Sequence, residues 1–144
     1  MEEHRIASPQ TRSQLWASLL SLESLGQWSA ISRCASTDTD TLSVAQSYLC
    51  TLEHGESQLD ASVVVTHLEP PEELRLRTTS TMAVVNERIL LEPDGRGTTV
   101  RYSASATSSM FGPAVTLWLH EHVRLVQSRL EAFAARADVY DRAD

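Results

Sequence analysis

The last third of the chain constrains the fold most. From Pro113 to Asp138 apolar residues recur at Val115, Leu119, Val123, Val126, Leu130, Phe133 and Ala137, the three- and four-residue spacing of one helical face. At about 100° per residue, all of these lie within about 60° of a line through Val126. A stripe this long is stable in water only against a partner surface of matching length, and the rest of the chain has to supply it.

That partner reads as a sheet. Between about Ala30 and Thr107 the apolar period drops to two. Leu42, Val44, Gln46, Tyr48, Cys50 and Leu52 share one side of a strand, with Ser43, Ala45, Ser47 and Thr51 on the other. His54-Gly55-Glu56-Ser57 is a turn, and Leu59 to Leu68 returns, rich in β-branched residues. Pro70-Pro71 ends that strand, because proline cannot donate to a ladder. Leu74 to Thr79 and Met82 to Glu92 follow, then a hairpin turn at Pro93-Asp94-Gly95-Arg96-Gly97 and a last strand from Thr99 to Thr107. Short turns between successive strands predict an antiparallel meander. Before it, Ser8-Pro9 reads as the cap and first residue of a helix with Leu15, Trp16, Leu19 and Leu20 on its apolar face. Ser21 to Gln27 is a second short helix, and residues 1–7 form a strand. Asp141-Arg142-Ala143-Asp144 reads as a frayed tail.

Length and charge bound the function. At 144 residues the chain is one domain, 1–144. Hydrophobic residues at 42% and charged residues at 22% are ordinary for a globular protein. The net charge of −7 excludes nucleic acid and anionic membranes as sequence-independent partners. No apolar run approaches the ~18 residues of a membrane span, and Met1-Glu2-Glu3-His4-Arg5 is no secretory signal, so the protein is expected in the cytoplasm. All twelve cations are arginine, which excludes lysine Schiff-base chemistry. A hairpin centred near Thr39, within Ser36 to Thr41, sets Cys34 opposite about Val44 and leaves Cys50 distant. Both are expected to be buried free thiols.

Several short segments carry a resemblance. They are Ile6-Ala7-Ser8-Pro9 leading to Trp16, Leu22 with Leu25-Gly26-Gln27-Trp28, Glu69-Pro70-Pro71-Glu72-Glu73-Leu74, and Leu91-Glu92-Pro93-Asp94-Gly95-Arg96-Gly97-Thr98. In this order, ahead of a long C-terminal helix, they resemble the START-like superfamily, closest to its small bacterial polyketide cyclase/dehydrase members. The resemblance implies an α+β helix-grip fold. In it a curved antiparallel sheet wraps the long C-terminal helix, two short helices follow the first strand, and a cavity between sheet and helix takes apolar, often polycyclic molecules. The fold also serves non-catalytic carriers, so it does not fix the chemistry.

Candidate residues follow from the expected faces. His122 lies about 40° from the stripe centre and is expected to project into the cavity as a general acid or base. Its plainer reading is a packing-face histidine bonded to a carbonyl or water. Tyr48, Gln46 and Tyr102 are expected to polarise and orient a substrate carbonyl, against a plain reading as packed strand residues. Val44, Val100, Leu119 and Val126 are expected to line the cavity, with Arg129 at its edge. Trp28 is read as either a ligand contact at the mouth or a plug between helix and sheet, Trp16 as core and Trp118 as the stripe's margin. Arg75 and Arg77 are expected to face solvent. Asn86 and His67 stay open, the latter because a bulge before Pro70 would shift parity. His120 and His122 at i,i+2 point apart, so no metal site is expected. No dinucleotide fingerprint or nucleophile elbow occurs, so no cofactor is expected. The function expected is cyclisation and dehydration of a hydrophobic polyketide-type substrate; the alternative is a binding or carrier protein for a hydrophobic small molecule, monomeric or homodimeric.

Overall fold

The computed structural model describes residues 2–35, 41–108 and 112–136. The order is β1 (Glu2–Ser8), α1 (Arg12–Leu19), α2 (Leu25–Trp28), β2 (Ile31–Cys34), β3 (Ser47–His54), β4 (Ser57–Glu69), β5 (Glu73–Ser80), β6 (Val84–Asp94), β7 (Gly97–Thr107) and α3 (Gly112–Ala134). The strands form one seven-stranded sheet in the order β1-β7-β6-β5-β4-β3-β2. Each named pair is antiparallel. The chain therefore runs a six-strand meander, β2 to β7, and extends it by laying β1 beside β7.

Period-two alternation decides which residues meet α3. On β6, Val85, Glu87, Ile89 and Leu91 are buried, and on β7, Thr98, Val100, Tyr102 and Ala104. They face Leu119, Val123, Val126, Leu130 and Phe133 of α3, which join the same core. Burying each such aliphatic side chain contributes about 1.5–3 kcal/mol, so the stripe is the main hold on the helix. Ala137, Asp138 and the tail 141–144 lie outside the described residues. Among the described residues, no helix is long and apolar enough to cross a membrane.

Two tight turns set the meander's register. Gly55 (φ 60°) and Gly95 (φ 62°) open two-residue turns, the φ > 0 position where glycine carries no steric cost. A Cβ on Gly97 would overlap the Ser8 carbonyl oxygen, so only glycine lets β7 start beneath the end of β1.

Four local expectations are corrected. The first helix is capped by Thr11, not Ser8: Thr11 and Gln14 form a reciprocal capping box. Ser8 ends β1 instead, and its hydroxyl donates to the Ala134 carbonyl at the end of α3 at 2.6 Å. The strand expected from Leu42 starts only at Ser47, because Ala45 adopts φ 66° and breaks the alternation. Val44 consequently points outward and is 52% exposed. Finally, Cys34 and Cys50 are not free thiols; they are register partners on β2 and β3 and form a disulfide across a sequence separation of 16. The turn expected over 36–41 lies, apart from Thr41, outside the described residues. Closing a loop of this size stabilises by about 3 kcal/mol.

Candidate functional site

The chemistry-bearing centre of the inner face is a carboxylate that the sequence reading did not pick out. Glu87 shares its parity with Val85, Ile89 and Leu91, so β6 turns it into the core, where it is 5% exposed. Ala104 of β7 is its register partner, and Tyr102 stands one diagonal step away. The Tyr102 hydroxyl donates to Glu87 Oε2. From the opposite layer α3 brings His122, whose Nε2 donates to the same oxygen at 3.2 Å. A buried carboxylate thus accepts from a phenol and an imidazole at once.

Burial works to raise the Glu87 carboxyl, but the coulombic attraction of His122 and the hydrogen bonds from His122 and Tyr102 outweigh it. Glu87 is held below the ordinary carboxylate range. Burial, reinforced by the Glu87 charge and hydrogen bond, pushes the Tyr102 phenol well above its ordinary range, so it remains a donor. In the tautomer that donates Nε2–H to Glu87, the neutral imidazole has its lone pair on Nδ1. That atom is buried and has no hydrogen-bond partner among the described residues.

The imidazole is also held by stacking. Trp118, one helical turn before His122, stacks on it with centroids 5.6 Å apart and also stacks on His54 at 4.4 Å. His54 Nε2 donates to the Trp118 carbonyl at 3.1 Å and lies 3.5 Å from Glu121 Oε2. This stack stands at the wall of a cleft of about 600 Å³ between the β3–β4 hairpin and α3, lined by Glu53, His54, Glu121, His122, Arg124 and Arg129 among others. Arg129 closes one end, donating to the Ser29 carbonyl at 2.8 Å and to Glu53.

The other expected site residues fall into three groups. Val100, Leu119 and Val126 belong to the core around His122 and Tyr102. Tyr48 and Gln46 form a separate pair: the Tyr48 hydroxyl accepts from Ser43 N at 3.0 Å and donates to Gln46 Oε1 at 3.4 Å. Trp28 is wholly buried, on a helix that packs against α3, and its Nε1 has no partner among the described residues. Trp118, expected at the margin of the stripe, is buried.

Among the described residues one group could offer a metal three ligands. His67, Glu69 and Glu73, around the β4–β5 turn, bring ligand atoms within 4.8 Å of one another. The Glu73 carboxylate is already taken by Arg75 and Arg88, which disfavours a cation there.

No family model matches the chain, and no curated protein does. Solved structures do. DynU16, from the dynemicin biosynthetic locus, is 16% identical with a TM-score of 0.65; the match covers 91% of this chain and 45% of DynU16. Ara h 8.0201 is 10% identical, with a TM-score of 0.67 over 92% of this chain and 95% of its own. The protein DR_A0006 from Deinococcus radiodurans is 15% identical, with a TM-score of 0.67 over 95% and 96%. At these identities the likeness is one of fold, and it matches the architecture described above: a curved antiparallel sheet around a long C-terminal helix, the helix-grip fold.

Proposed function

We propose that the protein binds a hydrophobic small molecule and acts on it as a cofactor-independent cyclase/dehydratase of poly-carbonyl, polyketide-type substrates. The observation that carries this reading is the His122 imidazole, oriented through Nε2 by the buried Glu87 and left with a free Nδ1 lone pair. A carboxylate-oriented imidazole is the arrangement general acid–base chemistry near neutral pH requires. In this scheme Nδ1 takes the α-proton of one carbonyl. The enolate carbon bonds to a second carbonyl of the same folded chain, whose oxygen takes up a proton. The imidazolium supplies that proton; Nδ1, neutral again, then removes the second α-proton as the C=C bond forms and the C–O bond breaks, and passes it to the departing hydroxyl, which leaves as water. In this scheme Arg129, at the cleft wall, polarises a carbonyl, and Glu87 and Tyr102 act through His122 as positioning residues. The biosynthetic locus of DynU16 is consistent with this chemistry.

A carrier role is the second reading, and one observation favours it. The hydroxyls of Tyr48 and Tyr102 both bond within the protein, which leaves few polar groups to act on a guest. Native mass spectrometry of the protein from its own host identifies a retained small molecule. Catalysis requires that this molecule, or its open-chain precursor, is converted by the wild type and that His122→Ala lowers the rate about 10²–10⁴-fold. Unchanged recovery of the molecule from every incubation assigns the protein as a carrier.

A further inference from the structure

The outer face of the sheet holds a feature that the acid–base centre does not use. Arg75 and Arg77 of β5 and Asn86 and Arg88 of β6 share the outward parity. Register sets Arg75 beside Arg88 and Arg77 beside Asn86. It continues the rows with Ser103 and Ser105 of β7, and with His67 of β4 beyond the bulge at Val65/His67. Strand spacing of about 4.8 Å, and about 6.8 Å between alternate residues, brings three guanidiniums within reach of one small ligand. They line a cleft of about 560 Å³.

Charge there runs opposite to the molecule as a whole. Glu73 lies on the same face yet is 7% exposed, covered by the arginines it anchors. Its carboxylate accepts from Arg75 Nε and from Arg88 Nε at 3.0 Å and NH2 at 3.3 Å. One carboxylate therefore orients two guanidiniums and neutralises only one. Arg77 donates Nε to the neutral Asn86 Oδ1 at 3.1 Å and has no ion pair among the described residues. The result is a local cationic excess on a chain of net charge −7.

We infer that this groove is a second binding site, for a phosphate-bearing small molecule, with Arg75, Arg77 and Arg88 as its anion-binding residues. A phosphoryl group offers three oxygens and more charge than the two oxygens of a carboxylate, so it can accept from three guanidinium forks at once. Thr66, Ser103 and Ser105 place hydroxyls around the cations. Glu69 beside His67, and Glu3 and Glu92 on Arg101, stand on the same sheet and confine the positive patch. A long polyanion would meet them; a small one does not.

Isothermal titration with inorganic pyrophosphate tests the site. Wild-type protein is expected to show one saturable site whose affinity falls as salt rises. Arg77→Ala weakens it about 10-fold or more, Arg77→Lys less, and His122→Ala not at all. Arg77 is exposed, and an unchanged thermal unfolding curve shows that its variants are folded. The inference is overturned by unchanged affinity in Arg77→Ala, by loss of binding in His122→Ala, by citrate binding as tightly as pyrophosphate, or by no saturable binding at millimolar pyrophosphate in low salt.

Discussion

Glu87 and Glu73 lie on opposite faces of the same sheet, and each is buried, but their partners differ in number and kind. Glu87 accepts from one imidazole and one phenol deep in the core. Glu73 accepts from two guanidiniums whose heads stay in water, and a third cation stands unpaired nearby. In the core an unmatched charge costs several kcal/mol, so the Glu87 carboxylate is met by two donors and no surplus charge stands beside it among the described residues. On the outer face water screens the excess, and a surplus of cations survives. The inner arrangement suits holding and moving one proton; the outer one suits meeting an anion from solution.

The largest effect expected is at Glu87. Glu87→Ala leaves His122 and Tyr102 without their shared acceptor and should cost about 3–5 kcal/mol in urea unfolding. Should it cost no more than Arg77→Ala, the contrast between the faces fails. Tyr102→Phe removes one donor from a buried carboxylate and should cost about 1–3 kcal/mol, while Tyr48→Phe, in a part-buried pair, should cost less.

pH and salt separate the faces further. Glu87 is depressed in the folded state, so its contribution is full above the ordinary glutamate value of about 4.3 and is lost as pH falls through the lower folded value. Tyr102 is raised, so its contribution is full below about pH 10 and is lost as pH climbs through its higher folded value. Glu73 adds to the acid limb with the same sign. Burial works to raise it, and the hydrogen bonds and charges of Arg88 and Arg75 outweigh that. High salt should weaken the Glu73 part of the acid limb and leave the Glu87 part in place; equal loss of both would place the two in one dielectric environment. The smallest change is Arg77→Ala without ligand, expected within about 0.5 kcal/mol of wild type.

The architecture was legible because it rests on long periodic signals. The α3 stripe and the alternation of β3 to β7 both repeat often enough to fix a face. Errors came where a single residue resets the period. Ala45 in the left-handed region turned Val44 outward. The bulge between Ile31 and Arg33 helped to bring Cys34 level with Cys50 rather than Val44. Thr11 and Gln14 carry a capping-box signal in the sequence, but Ser8-Pro9 presents a competing cap-and-proline signal three residues earlier. Of the candidate site, His122 and Tyr102 were identified, but not the residue that joins them. Glu87 sits in a strand apolar on both parities, so its direction could not be read. The available signal was one carboxylate among Val85, Ile89 and Leu91. The outer groove was legible only as solvent-facing arginines, because its cross-strand neighbours depend on register.

The two ends of the sheet bear on how copies of this protein avoid one another. An open sheet ends in rows of unpaired amides and carbonyls, a template for adding strands from another molecule. At one end β1 carries outward charges at Glu3 and Arg5 and packs against α3. At the other, β2 is four residues long, interrupted by a bulge and fastened to β3 by Cys34–Cys50. So short and irregular an edge offers a poor template. Beneath it lies β3, twice as long, with Leu49 70% exposed. Once the disulfide is reduced, a short ladder and the buried Ile31 are left to hold β2 beside that strand, and its peeling would expose an edge on which aggregation can begin.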